Sequence, residues 1–225
     1  GALGKEPITI GLWVGASSLP NRLDDLKSEI EKLLNNQGNS IPFQTCPWCG
    51  DGLQKHTNDN DIIFEKNRHN LSCTNKKCSF HSNVRQGPYQ GCLPLNLCDE
   101  SIYRHPPSLL FGTVDKFAQL AHKVDQEGDK DSRRLFGRGK WENGKPSEGY
   151  LPPDLIIQDE LHLLLGPLGS AVGLFESAID QLCTQPDGTL PKIITSTATT
   201  RNTNLQIAGL FNRRVQIFPK PGVEC

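Results

Sequence analysis

Residues 154–164 read DLIIQDELHLL, an apolar run from Leu155 to Ile157 that ends in Asp159, Glu160, Leu161 and His162. A short apolar run bounded by polar residues is what a strand buried in a parallel sheet presents, because both of its faces are covered. Ligands of open parallel sheets sit beyond the carboxyl ends of the strands, which is where these two carboxylates fall. Two acids so placed suit a magnesium ion and a polarised water, as nucleotide hydrolysis requires. On that reading Asp159 holds the ion through water and Glu160 is the general base. The plain alternative is an acidic pair that only caps a strand.

Further apolar strands lie on either side. Downstream, Ile193 and Ile194 lead into Thr195, Ser196, Thr197, Ala198 and Thr199, and a last unit runs through a helix near Leu205–Phe211 to a strand at Val215–Phe218. Upstream, residues 108–112 (SLLFG) precede a helical stripe of Val114, Phe117, Ala118, Ala121 and Val124. Residues 8–14 (ITIGLWV) precede the start residues Ser17, Ser18 and Pro20. A stripe of Leu23, Leu26, Ile30, Leu33 and Leu34 then runs until Gly38 stops it. Ala171, Leu174, Phe175, Ala178, Ile179 and Leu182 trace one more amphipathic helix. Strands alternating with helices predict an α/β fold with a parallel sheet covered on both faces. Residues 125–150 mix charges with glycines and read as a mobile loop, in which Arg133, Arg134, Arg138 and Trp141 are solvated or touch a nucleic acid.

The pairing of DELH with a later Thr197-Ala198-Thr199 resembles motifs II and III of superfamily-2 DExH helicases. The resemblance implies a first RecA-like motor domain that uses ATP and Mg2+, with Asp159, Glu160 and His162 at the catalytic centre. Thr197, Ala198 and Thr199 would couple the nucleotide site to the nucleic acid. Residues 112–121 (GTVDKFAQLA) resemble motif Ib, which implies that Thr113 contacts a nucleic-acid backbone with Lys116 as helper. Residues 102–118, 153–179 and 192–202 are more narrowly similar to the helicase component of DISARM, a bacterial anti-phage defence system. That implies DNA and other defence proteins as partners. An RNA-directed relative is the neighbouring reading, because phosphate contacts are common to both nucleic acids.

The chain departs from that pattern by lacking GxxxxGK[ST]: Lys5, Lys140 and Lys145 follow glycines but precede Glu6, Trp141 and Pro146. The phosphate loop and the second motor domain are therefore expected in a longer natural protein.

A second constellation lies in residues 42–90. Cys46 and Cys49 form one close pair and Cys73 and Cys78 another, which is how four thiolates are delivered to a tetrahedral zinc ion. The expected organisation is a partial motor domain in residues 1–41 and 91–225 with a zinc ribbon inserted at 42–90. His69 and His81 are reserve ligands or solvated. Cys92, Cys98, Cys183 and Cys225 are structural or free. The ribbon grips nucleic acid, binds a partner, or stabilises an insertion too small for its own core. Its Lys55, Lys66, Arg68, Lys76, Lys77 and Arg85 make it locally basic. A zinc-ribbon binding module without nucleotide chemistry is the rival to the motor.

Composition bounds these readings. A net charge of −1 excludes broad electrostatic binding of nucleic acid, so such contacts must be local. No apolar stretch approaches the roughly 20 residues of a membrane helix, and no secretion signal opens the chain. Eight cysteines in such a chain point to metal or buried thiols rather than disulfides, and to a cytoplasmic location.

Overall fold

A computed structural model describes residues 7–56, 70–118, 132–137, 141–142, 145–146, 151–161, 169–185, 187–196, 207–209 and 211–218. The chain divides into two compact units, Gly1–Leu135 and Phe136–Cys225.

In the first unit, strand β1 (Ile10–Trp13) lies between β4 (Leu95–Asn96) and β5 (Leu109–Gly112). Both neighbours run parallel to it, with Ile10 opposite Leu95 on one side and Leu109 on the other. Trp13, 0% exposed, is the anchor of this sheet. Its ring meets the edges of Tyr103 and Phe117 at centroid distances of 6.1 and 5.2 Å.

Helix α1 (Leu23–Leu34) buries Leu26, Ile30 and Leu33, three positions of the expected stripe. Its ends differ from the sequence reading. Ser17, Ser18 and Pro20 do not start it; Arg22 is the N-cap residue and gives no side-chain cap. Instead the Leu23 amide donates to Glu100 Oε2 at 3.1 Å, from helix α2 (Asp99–Arg104). A carboxylate at the positive end of a helix satisfies an orphan donor and the macrodipole together. Nor does Gly38 stop the helix. Asn36 adopts φ 54, and the Asn36 and Gln37 amides donate to the carbonyls of Leu33 and Lys32. This left-handed C-terminal motif is open to asparagine as well as glycine.

The cysteine-rich segment between α1 and β4 contains the antiparallel pair β2 (Leu53–Lys55) and β3 (Leu71–Cys73). It has no separate core. Cys46, Leu71, Cys73, Cys78 and Phe80 belong to one apolar cluster with Leu26, Ile30 and Leu33 of α1 and with Leu93, Leu97 and Cys98. Gly91 closes this join with φ +77, and a Cβ there would lie 2.1 Å from the His81 carbonyl oxygen. Only glycine fits so close an approach. Helix α3 (Val114–Ala118) follows β5 directly.

A short 3-10 turn, Ser132–Phe136, leads onward. Leu135 and Phe136 are buried, so this part of residues 125–150 is anchored rather than loose. Arg138 lies outside the described residues.

In the second unit, β6 (Trp141–Glu142) and β7 (Lys145–Pro146) pair antiparallel, whereas β8 (Leu155–Gln158) and β9 (Lys192–Thr195) pair parallel. Helix α4 (Gly169–Cys183) is the crossover between β8 and β9. The expectation of cover on both sheet faces does not hold for this pair, where Leu155, Ile157 and Ile194 are exposed. Alternate residues of a strand point to opposite faces, so these three share the open one. Residues 215–218 carry β-forming side chains but are not a strand. Propensity alone makes no strand without a partner ladder.

Glu176 of α4 is buried and accepts a hydrogen bond from Gln158 Nε2. Burial, reinforced by Asp180, raises its carboxyl above the ordinary range despite the opposing effects of Gln158 and Arg213. A raised carboxyl favours the folded state only where it is protonated, and that contribution is lost as pH rises through the folded pKa. Glu176→Gln is therefore expected to raise the melting temperature at about pH 7, with the gain vanishing near about pH 4. Thermal melts at both pH values check this; an equal gain at both would remove ionisation as its cause. Among the described residues no helix is long and apolar enough to cross a membrane.

Candidate metal centre and candidate nucleotide site

The two cysteine pairs come together. The Sγ atoms of Cys46, Cys49, Cys73 and Cys78 all lie within 4.8 Å of one another, and those of Cys49 and Cys73 are 3.4 Å apart. Four thiolates about 2.3 Å from a central zinc would be separated by about 3.8 Å, so the cluster has the required size.

Local backbone explains how. In the first knuckle the Gly50 amide donates to the Cys46 carbonyl at 2.9 Å, and Gly50 itself takes φ 82. Asparagine and backbone contacts brace the second: Asn75 Nδ2 donates to Asp51 Oδ2 at 2.6 Å, joining the two knuckles. The amides of Asn75 and Phe80 donate to the sulfurs of Cys73 and Cys78 at 3.3 and 3.5 Å. Such donors orient ligand sulfurs and offset their charge when metal is bound. Burial pushes the Cys73 thiol up to about 12, further raised by its sulfur neighbours. Burial also raises Cys46, but the amides of Cys49 and Trp48 outweigh it and the net shift is downward. The donor set, spacing and bracing all fit zinc.

His81 is buried rather than solvated, and its Nδ1 accepts from the Asn83 amide at 3.0 Å. It is not among the four clustered ligands. His69, Lys66 and Arg68 lie outside the described residues. Cys92, Cys98 and Cys183 are buried, as structural thiols would be, and Cys225 lies outside.

The second site is at the ends of β8 and β9. Ser196 Oγ, just past β9, donates to Asp159 Oδ1, just past β8. The same oxygen accepts the Glu160 amide at 3.0 Å. Main-chain bonds lock this junction: the Ser196 amide donates to the Gln158 carbonyl, and the Leu161 amide to the Ser196 carbonyl, both at 2.9 Å. Leu161 is 0% exposed and pins the turn, while Asp159 and Glu160 face solvent. Glu160 takes φ 55, a left-handed conformation that costs a non-glycine residue about 1 kcal/mol. Strain of this kind concentrates at functional turns. Ser196 was not among the residues singled out for a role; its place beside the Thr197-Ala198-Thr199 string was the signal. His162, Thr197, Ala198 and Thr199 lie outside the described residues.

The remaining pair separates. Thr113 is exposed where β5 passes into α3, and its amide donates to the Trp13 carbonyl at 3.2 Å. Lys116 departs from the expectation of a phosphate helper, because it is 2% exposed. Its Nζ donates to both carboxylate oxygens of Asp99, at 2.9 and 2.7 Å, and to Asn21 Oδ1 at 3.3 Å. Asp99 also accepts from the Tyr103 hydroxyl, which accepts from Trp13 Nε1. A fully paired buried lysine ties α3 to α2 and β1. Removing one partner of such a pair typically costs about 3 to 5 kcal/mol.

No family model matches the chain. It is 34% identical over 258 aligned positions to the DISARM protein DrmA of Bacillus paralicheniformis, an alignment that takes in 99% of this chain. The chain is related to a DISARM protein. It spans 22% of the length of that relative.

Proposed function

We propose that this chain is a segment of the first RecA-like motor domain of a DExH-type helicase that drives ATP-dependent work on DNA in bacterial anti-phage defence. The observation that carries the reading is the hydrogen bond between Asp159 and Ser196 across the ends of two parallel strands. It joins the DELH string to the STAT string, as a site that couples nucleotide to nucleic acid needs. Relation to a DISARM protein over 99% of the chain supports the defence role and other defence proteins as partners.

In this reading Asp159, oriented by Ser196 and the Glu160 amide, holds Mg2+ through water. The ion neutralises phosphate charge when bound. Glu160 accepts a proton from the attacking water, with His162 beside it in sequence. Thr197, Ala198 and Thr199 carry the change onward, and Thr113 contacts the DNA backbone at the β5–α3 junction. The cysteine cluster holds a structural zinc ion in a ribbon spanning residues 42–90.

Phosphoryl transfer depends almost wholly on positioning and charge, and no phosphate-loop motif occurs in these residues. The chain alone is therefore expected not to bind Mg·ATP at micromolar concentration, which calorimetry measures directly. Binding there would mean that another segment supplies the cradle. In the complete protein, ATP hydrolysis should rise with single-stranded DNA. Hydrolysis stimulated only by RNA would redirect the substrate, and none under any condition would overturn the motor.

A further inference from the structure

Within the zinc ribbon one side chain has no structural role equal to its size. Trp48 stands between the ligands Cys46 and Cys49, yet it is 70% exposed. Only its edge is engaged, against Phe80 at a centroid distance of 5.8 Å and an interplanar angle of 80°. Phe80 in turn packs on Tyr89 at 5.5 Å and belongs to the core cluster. The indole is thus fixed from behind, and bound metal on both sides of it in sequence would fix it further, while most of its surface faces water. The second knuckle lies alongside, held by the Asn75–Asp51 hydrogen bond and the 3.4 Å approach of Cys49 and Cys73 sulfurs. That knuckle carries Lys76 and Lys77, both exposed. Lys55 and Arg85 add two more exposed cations among the described residues of the ribbon, against one acid, Asp51, which Asn75 already engages.

A rigid exposed aromatic ring beside flexible cations is the arrangement that binds an unpaired strand, the ring stacking on a base and the cations meeting phosphates. Paired bases are already stacked on both faces and leave nothing for an indole to take. We propose that the zinc ribbon is a single-stranded DNA grip in which Trp48 stacks on one base and Lys76 and Lys77 contact the flanking phosphates. The choice of DNA over RNA rests on the motor reading; the grip itself requires no nucleotide chemistry, and its test uses no ATP.

The test is fluorescence anisotropy of a short dye-labelled oligothymidylate titrated with the zinc-loaded chain, with oligouridylate and duplex DNA as parallel arms. Trp48→Ala should weaken oligothymidylate binding about tenfold at unchanged zinc content, whereas Trp48→Phe should stay within about threefold. Should Trp48→Ala lose its zinc, the double variant Lys76→Ser, Lys77→Ser decides. It should reduce the slope of log affinity against log salt by about 1. Equal affinity of Trp48→Ala and the parent chain, or an unchanged salt slope, would overturn the grip. So would duplex binding as tight as single-strand binding, or capture of a protein partner with no DNA binding. Tighter binding of oligouridylate would overturn the assignment to DNA.

Discussion

Glu160→Gln in the complete protein is expected to abolish ATP hydrolysis while ATP still binds. Glutamine keeps the shape of the side chain and its hydrogen-bonding reach but cannot take a proton from water. General-base assistance is worth on the order of 10² to 10⁴ in rate. The backbone should not confuse the result. Glu160 sits at φ 55, with its amide on Asp159 Oδ1, and glutamine in the same place bears the same conformational cost. Phosphate release measured beside calorimetric ATP binding separates chemistry from affinity. Turnover at the parent rate would remove Glu160 from the base role. Joint loss of binding and turnover would mean that the residue shapes the site instead.

Removal of zinc should have the largest effect on stability. Structural zinc contributes an apparent 10 to 16 kcal/mol or so to small zinc-dependent folds near neutral pH. Here the ligands are not confined to a peripheral loop. Cys46, Cys73 and Cys78 are buried in the cluster that also holds Leu26, Ile30 and Leu33 of α1. Without a metal, those positions hold crowded thiols whose sulfurs lie within 4.8 Å of one another. Cys73→Ser, or exhaustive chelation, is expected to lower the melting temperature of the first unit by well over 10 °C. A loss of 1 kcal/mol lowers it by roughly 2 to 4 °C in a chain of about this size. Metal analysis should fall from one equivalent of zinc to none. An unchanged melt after complete removal of metal would make the cluster dispensable to the fold.

These expectations draw unequally on sequence and structure. The meeting of Cys46, Cys49, Cys73 and Cys78 was legible from spacing, because two close pairs make two tight turns. The strand of residues 155–158 was likewise legible from its apolar run, and α1 from its stripe. What ends each element was not. Glu100 caps α1 from a helix far along the chain, and no local pattern announces a cap supplied by tertiary contact. Asn36 closes that helix because its neighbours pack so as to admit a left-handed residue before Gly38 is reached.

Charge misled for a similar reason. Lys116, one helical turn beyond Thr113, looks like a solvent-facing cation until Asp99 and Asn21 arrive from elsewhere to bury it. Glu176 reads as the polar side of α4, yet Gln158 on β8 draws it inward. Local spacing and hydrophobic period by themselves determined the strands, the helices and the cysteine cluster, because these depend on residues a few positions apart. Only the tertiary structure decided that the ribbon shares its core with α1, that Lys116 is withdrawn from the surface, and that Asp159 meets Ser196. Each of those depends on groups distant in the chain, whose contact is set by how strands pair and helices cross over rather than by the order of neighbouring side chains.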